Sequence, residues 1–399
     1  MRILMLSPTL PWPLNMGSKI RIYHVLRELA RAGHEVTLLT LAHEPYNSDD
    51  LEPLKTYCRE LHVIPAKNRP RLQAVLKSIV SRKPYRVAKF ESLEFKQAVA
   101  QALQKDYDIL WVHFLETLAY TLQLPARKYK PLVLVDQHNA DELMWWRFAK
   151  YGSLGSRLFA MWNLWQFKRF QSKVIGRVDV LLEVSQEETE FVRQRVPSSI
   201  HIWTAPNGVD VDYFSPKRLE KREPVILFCG GLDRLRNVEA VKRFAKRIFP
   251  FVKKAVTEAQ FWIVGRNPVH EVLILQNNAD VRVYANVDDV RPFYENAKVA
   301  VVPLRLGGGT KLKVFEALAM GVPVVTTPDH GIDGASELYV RVGKDDEEFA
   351  LQVIDLLRDE TKRMQAARAG LEFVKERYSW QAIMGNVEAK LVKLVKTRR

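Results

Sequence analysis

Two rhythms of apolar residues alternate along this chain. Short unbroken apolar runs, as expected for strands buried on both faces, are separated by stretches whose apolar positions repeat at helical spacing. Arg2 to Leu6 is the first run. A Pro-rich loop ending at Gly17 follows, then a helix from Ser18 through Ala32 with Ile20, Tyr23, Leu26, Leu29 and Ala30 on one side. Gly33 stops it, and Glu35 to Leu39 is a second strand. Strand, Gly-bearing loop, helix, glycine, strand is one βαβ unit. Asp108 to Val112, Pro131 to Asp136 and Val178 to Val184 read as further strands. Thr204 to Pro216 is rich in turn formers and marks a linker; its Asp210 and Asp212 read as turn residues, since no third oxygen ligand stands near them. The alternation then restarts with Pro224 to Cys229, a Gly230-Gly231 turn and a helix from Asn237 to Lys253. Strands follow at Phe261 to Val264, Val281 to Tyr284 and Lys298 to Val302, and three helices (Asp345 to Arg358, Thr361 to Arg377, Trp380 to Lys396) close the chain.

The pattern predicts an α/β protein of two doubly wound, Rossmann-like domains facing each other across a cleft, with the final helix crossing back to the first. A length of 399 residues agrees, being too great for one ordinary core. The expected division is 1–205, 206–378 and a terminal helix over 379–399.

The stretch from Pro303 to Pro323 carries the clearest chemistry. After the apolar run Val299 to Val302 come three glycines, Gly307 to Gly309; Thr310 is placed to cap the next helix, and Lys311 and Lys313 flank its start. Glycines without Cβ, helix N–H groups and two ammonium groups at one helix start describe a phosphate site. Glu316 lies about one turn on, where a carboxylate can accept from ribose hydroxyls. Gly321 closes the helix before another buried strand. In the first half, Asp136-Gln137-His138-Asn139-Ala140-Asp141-Glu142 sits at a strand's carboxyl end, where α/β active sites gather. His138 is singled out there because Asp136, Asn139 and Asp141 flank it, and His113, ending the preceding strand, competes with it. Gly17 lets backbone approach a ligand at the same edge. No G-x-G-x-x-G follows the first strand and no G-x-x-x-x-G-K-[ST] occurs, which argues against dinucleotide and P-loop sites.

Net charge adds a second theme. At +15 the chain is basic in both halves, 29 basic against 20 acidic residues over 1–206 and 32 against 26 beyond. The densest run, His62 to Phe90, holds eight basic residues (Lys67, Arg69, Arg71, Lys77, Arg82, Lys83, Arg86, Lys89) and no acid. Polybasic segments gain about 1 kcal/mol per residue near an anionic membrane. Between Trp145 and Phe170, tryptophans alternate with basic residues, a pattern that suits a headgroup layer and equally an ordinary packed helix. Both segments are assigned to an anionic membrane surface; nucleic acid would rest on net charge alone and is set aside. Cys58 and Cys229 form no disulfide framework and no metal-ligand spacing. Ile3 to Leu6 is far shorter than a signal-peptide core, and no apolar segment is long enough to span a bilayer. The expected location is cytoplasmic, peripheral on the inner face of the cytoplasmic membrane.

With these residues in view, the chain resembles the retaining glycosyltransferases of family 4, which have the GT-B fold. Carrying the resemblance are Gly17 with its helix, Gly33-His34-Glu35-Val36, the His138 cluster, Pro206-Asn207-Gly208-Val209-Asp210 with Phe214, Ile263-Val264-Gly265, and Glu316-Ala317 through Gly321-Val322-Pro323-Val324-Val325. Together they span nearly the whole chain. The resemblance implies a UDP-, GDP- or ADP-linked sugar donor on the second domain, a saccharide or lipid-linked acceptor on the first, and no metal or other cofactor. His138 matches the histidine placed near the reacting sugar, and Glu316 the glutamate on the donor ribose. The family's usual arginine and lysine fall on Gly231 and Asn237, and the first of its paired glutamates on Gly308. In this the chain looks like a polysaccharide-pathway subgroup carrying G-G-G-T-[KR]-x-K, which assigns the diphosphate's countercharge to Lys311, Lys313 and Arg236. Gly230, Gly231, Gly308, Gly309 and Thr310 complete the expected donor loop, and His113, Asp136, Asn139 and Asp141 the acceptor side. A nucleotide-sugar epimerase and a non-catalytic sugar-nucleotide binder on the same scaffold are the alternatives.

Overall fold

The computed structural model describes the chain apart from residues 67–68, 123–130, 140, 152–153, 305–311, 329–331 and 399, and apart from the side chains of Asp141, Met144, Arg147, Phe148, Tyr151, Leu154 and Ser156. Its backbone divides into two compact units, one of residues 1–206 with 384–399 and one of residues 207–383. The boundary therefore falls inside the helix Trp380–Arg398, a few residues later than the expected 379.

The first unit is built on a seven-stranded parallel sheet of β1 (Arg2–Ser7), β2 (Glu35–Ala42), β3 (Glu60–Pro65), β4 (Ile109–His113), β5 (Leu132–Asp136), β6 (Val180–Glu183) and β7 (His201–Thr204), ordered β3-β2-β1-β4-β5-β6-β7. The second has a six-stranded sheet of β8 (Glu223–Cys229), β9 (Gln260–Gly265), β10 (Val281–Ala285), β11 (Ala297–Val302), β12 (Val324–Thr326) and β13 (Val340–Val342), ordered β10-β9-β8-β11-β12-β13. Both sheets reverse direction of winding beside their first strand, the doubly wound pattern. Central strands such as β1, β4 and β11 are almost wholly buried, which is why they read as unbroken apolar runs. The three strands that periodicity did not anticipate, β3, β7 and β13, all lie at sheet edges and are mostly half-buried, so their apolar pattern is weak.

Two helices depart from expectation. Gly17–Arg31 is not packed on one face only: Ile22, Val25, Leu26 and Leu29 are buried, but so are Lys19, Arg21, His24, Arg27 and Glu28, while Ile20 and Tyr23 are half-buried. Its buried charges are paired, Arg21 with Asp136 and Arg27 with Glu28. The helix expected over Asn237 to Lys253 is interrupted by a π turn at Phe244–Ile248, just before Pro250 in the first turn of the helix Phe249–Ala255. Proline has no N–H to donate and its ring crowds the preceding turn, which the wider turn accommodates.

Backbone crowding accounts for several glycines in the second unit. A Cβ on Gly265 would lie 1.8 Å from the carbonyl oxygen of Gly230, so β9 can pass the loop after β8 only with glycine there. Gly321, at φ +64°, ends the helix Leu312–Ala319, and Val322 N–H donates to Ala317 O in a Schellman closure. The Asn207-Gly208-Val209-Asp210 stretch is structural: Val209 N–H donates to Tyr378 O, a Cβ on Gly208 would meet Trp380 at 2.9 Å, and Asp210 Oδ1 accepts from the backbone of Asp212 and Tyr213.

Candidate active site

In the first unit β4 and β5 are parallel neighbours with His113 and Asp136 in register at their carboxyl ends. Aligned residues of neighbouring strands share a face, so the two side chains meet: His113 Nδ1 lies 3.3 Å from Asp136 Oδ2. His138, two residues past β5, brings Nε2 to 3.1 Å from the same His113 Nδ1. Behind them Arg21, on the helix after β1, donates from Nε to Asp136 Oδ1 at 2.9 Å and Oδ2 at 3.0 Å and from Nη2 to Oδ1 at 2.7 Å, while its Nη1 reaches Pro206 O. All four residues are buried.

Burial works against charge on Asp136, but the Arg21 guanidinium and the His113 contact outweigh it and hold the carboxyl far below the usual range. Burial lowers both histidines, His138 well below its ordinary 6.5. Both rings are therefore neutral near pH 7. A carboxylate oxygen against His113 Nδ1 requires N–H there, which makes His138 Nε2 an acceptor and leaves the proton of His138 on Nδ1. That Nδ1–H and the lone pair on His113 Nε2 have no partner among the described residues.

His113, Asp136 and His138 offer donor atoms within 4.8 Å of one another, a set with the composition of a metal site. Both Asp136 oxygens already accept from Arg21, however, so a cation would share the carboxylate with a fixed guanidinium.

The next residue after β4 is Phe114, held at φ +64° with its N–H donating to Asp136 O. Positive φ in an aromatic residue costs on the order of 1–3 kcal/mol and persists where surrounding structure imposes it. Its effect is to lay the ring 4.1 Å from that of His138, tilted by 34°. Arg86 sits over the Phe114 ring at 5.1 Å.

The expected acceptor-side residues thus separate. His113 is the partner of His138, not its competitor. Asp136 is buried, accepts from Arg21 on both oxygens and lies against His113, which suits it to positioning that ring. Asn139 is exposed, and the side chain of Asp141 lies outside the described residues. Gly17 opens its helix, exposed, and a Cβ built there meets nothing within 4 Å, so the chain itself does not require glycine at this position.

In the second unit the loop after β8 meets the helix Leu312–Ala319, which follows β11, the neighbour of β8. Lys313 Nζ lies 4.1 Å from the Phe228 ring centre and 3.3 Å from Asn237 Oδ1. A Cβ on Gly230 would approach that Nζ to 2.7 Å, and Asn237 Nδ2 donates to Gly231 O at 2.8 Å. Glu316 Oε2 accepts from the Tyr294 hydroxyl at 3.2 Å; burial pushes the carboxyl up, while Tyr294 and Lys313 pull it back. Lys313, Gly230, Gly231, Asn237 and Glu316 therefore form one neighbourhood at the carboxyl edge of the sheet. Arg236 is on the exposed side of its helix, lining a surface cleft with Lys242, Arg243, Lys246, Arg247 and Pro303. Gly308, Gly309, Thr310 and Lys311 fall outside the described residues.

Arg21, Phe114 and Tyr294 were not anticipated, and Asn237 was marked only as the position where the family's usual lysine falls. Arg21 is one of several charged residues on its helix, so nothing in the sequence set it apart; Phe114 and Tyr294 act through neighbours distant in sequence.

Residues 17–213 match glycosyltransferase family 4 and residues 223–359 match glycosyl transferases group 1, between them most of the chain. The chain belongs to these glycosyltransferases and has their GT-B fold of two Rossmann-like domains. Sucrose-phosphate synthase from Thermosynechococcus elongatus is similar over 100% of both chains, with a TM-score of 0.69 and 18% identity. Anabaena HepE, crystallised in complex with UDP, is similar over 98% of this chain and 100% of its own, with a TM-score of 0.65 and 11% identity. An uncharacterized 44.6 kDa protein in the cps region of Klebsiella pneumoniae is 20% identical, over 97% of this chain and 98% of that one.

Proposed function

We propose that this glycosyltransferase moves a sugar from a nucleotide-sugar donor to a saccharide or lipid-linked acceptor with retention of anomeric configuration and without a metal ion. The single observation that carries the donor half is the placement of Lys313 against Gly230, with Glu316 one turn along the same helix. Leaving-group departure builds negative charge on the diphosphate; an ammonium and helix N–H groups fixed there stabilise that charge more than the ground state. Lys311 and the Gly308-Gly309-Thr310 stretch are assigned to the same role, with Arg236 as further countercharge. Glu316 Oε1, which has no partner among the described residues, is assigned to the ribose hydroxyls. Complexes of HepE with UDP and with UDP-glucose support a uridine donor as the first to try.

On the acceptor side, the neutral His138 offers Nδ1–H to a sugar oxygen, its ring held by Phe114 and by the Arg21, Asp136 and His113 chain. The acceptor hydroxyl attacks from the face the diphosphate leaves and its proton passes to the departing phosphate oxygen. The cps-region relative supports a place in surface-polysaccharide synthesis. Peripheral attachment to an anionic membrane is supported by two exposed apolar stripes, Leu72, Leu76, Ile79 and Val80 on the helix Arg71–Ser81 and Leu158, Met161 and Trp165 on Leu154–Val174. No helix among the described residues is long and apolar enough to cross a membrane.

Screening UDP-, GDP- and ADP-sugars by thermal shift, with nucleoside diphosphate release as the second readout, tests the proposal. One donor is expected to raise the melting temperature and release its diphosphate; stabilisation without release would favour a binder, and a changed sugar without acceptor an epimerase.

A further inference from the structure

The basic run His62 to Phe90 does not all face outward. Arg69, Lys77, Arg82, Lys83, Arg86 and Lys89 line one cavity of about 850 Å³ within the first unit. Arg169 and Lys173, from the helix Leu154–Val174, line it too. With Lys19 and Lys96, ten lysines and arginines surround this space against four acids. Glu91 is held by Lys77 and Lys83, each at 2.6 Å, Glu44 lies 3.7 Å from Lys19, Asp50 accepts from Asn47 N–H at 2.9 Å, and Glu116 is buried in the wall. Arg69 is structural, donating to the carbonyls of Lys89 and Glu91. Arg82, Lys89 and Lys173 have no carboxylate partner among the described residues. The rest of the wall is largely apolar, with Trp12, Phe90, Phe114, Tyr120 and Phe170.

Crowding like charges around a partly enclosed space costs free energy unless an anion fills it. An apolar wall beside the charge describes a ligand with an anionic head and an apolar or saccharide body. The cavity also reaches the reactive centre. Phe114 lines it, carries Arg86 over its ring and lies against His138. An anion held at Arg86 is thus separated from His138 by the Phe114 ring.

We infer that this cavity binds the acceptor through a phosphate or diphosphate group that the acceptor carries, with its reacting sugar projecting past Phe114 to His138. The inference rests on the acceptor assignment made above for this unit. A lipid diphosphate and a phosphorylated saccharide share the recognised chemistry and differ in whether the apolar wall is used.

Isothermal titration of the full chain with farnesyl diphosphate, inorganic pyrophosphate and farnesol separates these cases. Binding of both diphosphates is expected, weakening with salt, about tenfold weaker in a Lys89→Ser/Lys173→Ser variant that keeps the wild-type melting temperature, and kept in Lys89→Arg. Tighter binding of farnesyl diphosphate identifies a lipid-linked acceptor; equal binding identifies a phosphorylated saccharide. The inference is overturned if neither diphosphate binds, if farnesol binds as tightly as its diphosphate, or if binding is lost in Lys313→Ala and kept in the cavity variant. A wild type that releases nucleoside diphosphate from a donor yet binds no diphosphate probe refutes this inference alone; the reverse result refutes the donor assignment.

Discussion

Two histidines and a carboxylate buried together make the protein sensitive to acid in a predictable direction. His113 and His138 have pKa values below 6.5 in the fold, so the unfolded chain binds their protons first as pH drops. Stability is therefore lost as pH falls below about 6.5, and the depressed carboxyl of Asp136 adds to the loss at lower pH. The melting temperature is expected to be level above pH 7 and to decline below 6.5, less steeply in His138→Gln; a wild-type profile level down to pH 5 would contradict the assigned protonation. Of this centre, the strand-end positions of His113, Asp136 and His138 were legible in sequence, because apolar runs locate strand ends well. What each does was not. Asp136 appeared available to a ligand until Arg21, more than a hundred residues earlier, was seen to occupy it.

At the scale of elements, periodicity located the central strands and most helices, and failed where burial is partial. β3, β7 and β13 gain their order from a neighbour's hydrogen-bond edge more than from their own apolar residues. The same limit applies to the basic run. Sequence showed a concentration of charge but not its division between the cavity wall and an outer surface. Leu72, Leu76, Ile79 and Val80 follow the spacing of one helical face, yet that face is outward, Val80 being 84% exposed. Burying side chains of this size in a membrane interface is worth roughly 1.5 kcal/mol or more each. Leu76→Asp/Val80→Asp is expected to cut sedimentation with anionic vesicles by at least about tenfold at low salt, with the melting temperature little changed. Wild-type protein that stays in the supernatant with such vesicles would remove the membrane assignment.

For the whole molecule, the two sheets repeat one plan. In each, the first strand of the unit ends in a loop whose next helix or neighbouring helix brings a basic side chain to the carboxyl edge: Arg21 in the first, Lys313 in the second. The roles diverge because Arg21 is bound to a buried carboxylate, whereas Lys313 lies against the Asn237 amide and the Phe228 ring face, one turn from Glu316. The first unit positions a neutral histidine; the second presents the positive charge to which the proposed function assigns the leaving diphosphate. The most direct check is nucleoside diphosphate release from whichever donor the screen identifies, compared among wild type, Lys313→Ala and His138→Ala. Each variant is expected to lose about 10²- to 10³-fold in turnover, roughly 2–4 kcal/mol of barrier, with its melting temperature retained. Release at the wild-type rate from both variants would contradict the account.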